Sequence, residues 1–112
     1  MLDLIIKNGQ CYINGELKDK DVSVKDGKIQ SIGKISEDAK EIIDAKGLTV
    51  LPGCIDTQTH FREPGSTDTE DLHSGSRAAI VGGITAVFEM PNTNPPTSTK
   101  KEFQKKLDLA KN

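Results

Sequence analysis

Tryptophan is absent from this chain, and aromatic residues make up only 4% of it. With 34% hydrophobic residues, the 112-residue sequence has little with which to fill a core of its own. A chain of this length buries only part of its surface in any case. The chain therefore reads as a piece of something larger, although its length is that of one domain. Cysteine is scarce as well. Cys11 and Cys54 stand far apart and form no CxxC, which excludes a disulfide framework. They read as two buried, reduced thiols of a cytosolic protein. No apolar run approaches the ~20 residues of a membrane span. The opening "MLDLIIKNGQ" lacks the basic start and long apolar stretch of a signal peptide. The net charge of -2, from 15 Lys+Arg against 17 Asp+Glu, excludes attraction to nucleic acid or an anionic membrane by bulk charge. The expectation is a soluble, cytoplasmic chain.

What is present falls into two grammars. The first, residues 1–51, consists of short apolar runs broken by turn dipeptides. "LDLII" precedes Asn8-Gly9, "CYI" precedes Asn14-Gly15, "DVSVK" surrounds Asp26-Gly27 with "KIQSIG", and Lys46-Gly47 separates Ile42-Ile43 from Leu48. Such dipeptides tolerate positive φ and signal hairpins. This half reads as a small antiparallel β-structure.

The second grammar, residues 52–112, alternates strand and helix. "CIDTQTHF" reads as a strand, and Asp71 to Gly83 as a helix with Leu72, Ala79 and Ile80 inward and Gly82-Gly83 as its stop. "ITAVFEM" is apolar enough for a parallel strand buried on both faces. After "PNTNPPTS", Ser98 or Thr99 caps a last helix with Phe103 and Leu107 at i,i+4. Two βα units imply a parallel sheet. Two parallel strands make no stable sheet alone, so an open edge must be covered, and self-association into a homo-oligomer is one solution.

Residue types with chemistry cluster where the first of these strands ends, in "DTQTHFREPG". Residues i and i+2 of a strand share a face, which places Gln58, His60 and Arg62 together. Carboxyl ends of parallel strands are where α/β folds build their sites. His60 suits a metal, whereas Gln58 offers only a neutral, weak oxygen. Arg62 suits a carboxylate or phosphate, and Asn92, at the matching end of the second strand, could share that anion. Blander readings stand beside these: a hydrogen-bonded structural histidine, an ion pair of Arg62 with Glu63 or Asp71, and an Asx-turn at Asn92. His73 falls on the helix, away from the strand ends, and reads as surface.

Together "LIIKNG…DVSVKDGKIQSIG", "LPGCIDTQTHFREPG" and "EDLHSGSRAAIVGGITAVFEMPNTNP" resemble the dihydroorotases of the amidohydrolase superfamily, the long type related to hydantoinases and allantoinases. The resemblance runs over nearly the whole chain. It implies an α/β protein in which residues 1–51 supply part of a β-sandwich and residues 52–112 the first two βα units of a metal-dependent (β/α)8 barrel. It implies interconversion of N-carbamoyl-L-aspartate and L-dihydroorotate in pyrimidine synthesis, with zinc, one or two ions, as cofactor. Metal ligands would fall on His60 and Gln58, and substrate-carboxylate contacts on Arg62 and Asn92. Catalytic groups are expected beyond residue 112, so this chain alone is expected to be inactive and to hold zinc weakly or not at all. The family pattern has His where Gln58 stands. A dinuclear site with a poor ligand, a mononuclear site and a non-catalytic homologue are all compatible with that change. The alternatives to a dihydroorotase are a non-catalytic partner of aspartate transcarbamoylase and a hydantoinase- or allantoinase-like amidohydrolase.

Overall fold

A computed structural model describes residues 1–111. The chain divides into two compact units, Met1–Pro52 and the residues from Gly53 onward. The expected segment end at Asn112 lies outside the described residues.

Seven strands make up the first unit: β1 (Leu2–Lys7), β2 (Gln10–Ile13), β3 (Glu16–Asp19), β4 (Asp21–Lys25), β5 (Lys28–Gly33), β6 (Ala39–Asp44) and β7 (Thr49–Val50). They form two sheets, in the orders β5-β4-β1-β6 and β3-β2-β7. Two of the turn dipeptides act as expected. Asn14 and Gly15 both have positive φ (52° and 86°), as do Asp26 and Gly27 (50° and 72°). Positive φ at both central residues matches the twist of a two-residue hairpin. Those turns close β2 on β3 and β4 on β5, with Ile13 opposite Glu16 and Lys25 opposite Lys28.

The other two dipeptides do not make hairpins, and the first unit is not purely antiparallel. β1 pairs in parallel with β6, and β2 in parallel with β7. At Asn8-Gly9 the chain leaves one sheet for the other, and at Lys46-Gly47 it makes the same passage beside it. The ladder continues across: Ala45 N–H donates to Lys7 C=O at 2.8 Å and Gln10 N–H to Leu48 C=O at 3.0 Å. Gly9 serves proximity here. A Cβ on it would lie 2.6 Å from Val50 Cγ2 and 3.1 Å from Ala45 Cβ. One carboxylate ties the two passages together, since Asp44 accepts from Asn8 Nδ2 (2.9 Å) and from Lys46 N–H (3.1 Å). The core of this unit is Leu2, Ile5 and Ile35, with Ala39 against them.

The second unit runs β8 (Cys54–Thr59), α1 (Leu72–Val81), β9 (Ile84–Glu89) and α2 (Lys100–Leu109). β8 and β9 pair in parallel. Asp71 caps α1 reciprocally with Ser74: its carboxylate accepts Ser74 N–H at 2.6 Å, and Ser74 Oγ accepts Asp71 N–H at 3.2 Å. Thr99 is the cap of α2. Among the described residues no helix is long and apolar enough to cross a membrane.

Burial departs from expectation in several places. The inner stripe of α1 is Leu72, Gly75 and Ala79, at i, i+3 and i+7, and Ile80 lies outside it, 68% exposed. Gly75 is buried because the Phe61 ring fills its notch, where a Cβ would meet Phe61 Cδ1 at 2.6 Å. β9 is not buried on both faces. Phe88 on β9 and Ile55 on β8 are exposed, because a two-stranded sheet gives each residue few neighbours. For the same reason only Cys11 is a buried thiol, while Cys54, which begins β8, is exposed.

Two outcomes follow. Gly75→Ala gains up to about 1 kcal/mol of helix propensity but overpacks a buried ring at a cost of about 1–3 kcal/mol. A net loss in urea denaturation is expected, and a gain would show that Phe61 is not seated there. Hydrogen bonds from the Asn8 side chain and then the Lys46 main chain hold the Asp44 carboxyl below the ordinary aspartate range. In the unfolded chain Asp44 titrates in the ordinary aspartate range, so this contribution to stability is complete above that range and is lost as pH falls through the lower folded value. Carboxyl NMR titration should find Asp44 low and Asn8→Ala raising it. An unchanged Asp44 in that variant refutes the clamp.

Candidate functional site

The β8–β9 ladder brings two loops together at its carboxyl end. Thr59 faces Glu89 in register, and Met90 N–H donates to Thr59 C=O at 2.8 Å. Beyond this, Asn94 N–H donates to Pro64 C=O at 3.0 Å, so the "EPG" loop after β8 and the "PNTNPP" loop after β9 run together. Gly65, with φ of 123°, lets them approach, since a Cβ on it would lie 2.8 Å from both the Cβ and the carbonyl oxygen of Asn94.

This zipper sets His60 against Asn92, with Nδ1 and the amide oxygen Oδ1 2.8 Å apart. An amide oxygen only accepts, so Nδ1 carries the proton, and in the neutral ring that leaves Nε2 with the lone pair a metal needs. A second group that fixes tautomer and ring plane is what a ligating histidine uses. The sequence has Asn92 sharing an anion with Arg62; the structure engages its amide oxygen with His60 and leaves its NH2 group as the remaining donor.

Arg62 is exposed and forms no ion pair among the described residues. The two carboxylates that could have neutralised it are committed to the start of α1. Glu63 Oε2 accepts Leu72 N–H at 2.9 Å, and Asp71 accepts Ser74 N–H. The Ser74 bonds also hold the Asp71 carboxyl below its ordinary range. Arg62 is thus a cation available to an anionic ligand.

Gln58 lies at an irregularity of the strand pair. The pairing register slips between Asp56 and Thr59, where three steps along β8 match two along β9. Gln58 N–H bonds the Asp56 carboxylate at 3.0 Å, a local Asx bond two residues back. A bulge of this kind re-aims side chains, so strand alternation does not by itself put Gln58 on the face of His60. Among the described residues, no group of three or more His, Cys, Asp or Glu side chains converges on a metal position. His60 fits one ligand of a centre. Gln58, a neutral carboxamide on a bulge, fits zinc poorly. His73 is exposed on α1.

A cavity of about 820 Å3 lies elsewhere, on the helix side, with Phe61, Leu72, Glu89, Met90, Phe103 and Lys106 in its wall. None of Gln58, His60, Arg62 and Asn92 lines it. Sequence reasoning missed Glu89 and Lys106, which form a largely buried ion pair at 2.7 Å. Their signal was weak, a carboxylate closing an apolar strand and one lysine among several.

A profile of the Amidohydrolase family matches residues 49–110, more than half of the chain. An allantoinase of Escherichia coli O1:K1 is 47% identical over 110 residues, which cover 97% of this chain and 24% of that protein. The structure of an L-hydantoinase (dihydropyrimidinase) from Arthrobacter aurescens superposes with a TM-score of 0.87 at 35% identity, over 98% of this chain and 25% of that one. An N-acyl-D-glutamate deacylase from Bordetella bronchiseptica, in complex with zinc and a phosphonate inhibitor, superposes with a TM-score of 0.61 at 30% identity, over 77% of this chain and 18% of its own. The chain thus spans about a quarter, or less, of the length of these relatives. Their names carry the amidohydrolase expectation and its hydantoinase or allantoinase alternative, and not a dihydroorotase in particular. By the profile match and by these identities, the chain belongs to the amidohydrolase family.

Proposed function

We propose that the protein carrying this chain is a metal-dependent hydrolase that opens a cyclic amide or ureide, of allantoinase or hydantoinase type. The observation that carries this reading is 47% identity to an allantoinase along 97% of the chain. The residues from Gly53 onward then supply the first two βα units of a (β/α)8 barrel, with the site at their carboxyl ends. A metal in such a site supplies Lewis-acid polarisation of the ring carbonyl and activation of water. This chain contributes His60 as ligand through Nε2, with Asn92 holding the ring by Nδ1–H. Arg62 orients the substrate by an anionic or carbonyl group.

The unpaired Arg62 favours a second reading, dihydroorotase, because a substrate bearing a carboxylate is what a free guanidinium suits. Turnover of allantoin, hydantoin and dihydroorotate by the metal-loaded protein separates the two. Hydrolysis of allantoin or hydantoin is expected, to be lost on chelation and in His60→Ala. If dihydroorotate alone turns over, the second reading replaces the first. If none does, with metal bound, the enzyme reading falls to that of a non-catalytic homologue. Arg62→Met should lower kcat/KM by about 10–100-fold for a substrate with a carboxylate, the loss of one charged hydrogen-bonding partner.

A further inference from the structure

The end of the β8–β9 ladder passes from main chain to side chain. After Met90 N–H to Thr59 C=O, Phe61 N–H, two residues past the end of β8, goes to Glu89 Oε2 at 3.0 Å. The other oxygen of that carboxylate accepts from Lys106 Nζ at 2.7 Å. Both partners are sheltered, with side chains 10% exposed for Lys106 and 15% for Glu89. Lys106 is the buried residue of α2, whereas Phe103 and Leu107, the apolar pair of that helix, are exposed. Phe61 is held a second time by its ring, seated against Gly75 of α1. The residue between His60 and Arg62 is therefore fixed both at its amide and at its side chain.

We infer that Glu89, oriented by Lys106, is a positioning residue, which sets the main chain at Phe61 and with it the placement of His60 and Arg62. Both members of the pair line the helix-side cavity and not the strand-end site, so they act through Phe61. At this point the Phe61 amide finds its acceptor in a side chain of β9 and not in the main-chain ladder. A carboxylate buried for that purpose needs a cation, and α2 provides it. The effect on turnover rests on the proposed function, whereas the hydrogen bond does not.

Two double variants test it. Glu89→Gln with Lys106→Met removes the buried charges but keeps a carbonyl acceptor for Phe61 N–H. Glu89→Met with Lys106→Met removes the acceptor too. The first should keep kcat/KM within a few-fold of the parent. The second should lose about 10–100-fold, the size of effect seen when an outer partner of a site is removed, and hydrogen exchange at the Phe61 amide should speed up only there. Equal kinetics in the two variants, or equal Phe61 protection, overturns the inference. Should the second variant not fold, exchange in the parent decides, because a Phe61 amide as unprotected as that of exposed Arg62 also overturns it. If the protein turns over no cyclic amide, the function reading falls, and Phe61 exchange in the two variants still tests the hydrogen bond.

Discussion

One carboxylate with both oxygens in use organises the second unit. Burying Glu89 costs desolvation, and so does burying Lys106. The pair is tolerable because each charge meets its partner at 2.7 Å and the second oxygen of Glu89 meets the Phe61 amide. The arrangement binds three elements with one side chain. β9 carries the acid, α2 carries the base, and the residues after β8 are drawn in by their main chain. Phe61 is then committed to the helix side, in the notch of Gly75, and the residues flanking it are left to the strand-end site. Asn92, three residues past Glu89, completes the arrangement by holding the His60 ring.

The first unit depends on a different constraint, the passage of two neighbouring segments from one sheet to another. Asp44 spans it, bonded to Asn8 on one segment and Lys46 on the other. Gly9 permits it, because any side chain there would strike Val50. Turn chemistry alone reads Asn8-Gly9 and Asn14-Gly15 alike. They differ in backbone: Asn14-Gly15 has both residues at positive φ, as a type I′ hairpin turn requires, while at Asn8-Gly9 only Asn8 does.

At the candidate site, residue types were more legible than partners. His60, Arg62 and Asn92 could be picked out because metal and anion chemistry draws on a short list of side chains placed at strand ends. That Asn92 serves His60, that Glu63 is spent on the first amide of α1, and that the β8–β9 register slips beside Gln58 all depend on segments brought together by the fold. Glu89 and Lys106 stand 17 positions apart and carry no motif. Gly75, the buried residue of α1, has no side chain for an apolar pattern to detect.

By itself the sequence determined the two grammars, the position of both helices, the turn dipeptides from which the two hairpins are made and the family. Each of these is a local matter, since hairpin φ angles, capping oxygens and contiguous motif residues act within a few positions. Tertiary structure alone decided which strands pair in parallel, which face of α1 turns inward, that Cys54 is exposed while Cys11 is buried, and how one carboxylate holds the site. These are choices among partners far apart in the chain, and geometry and desolvation select them only when the segments meet.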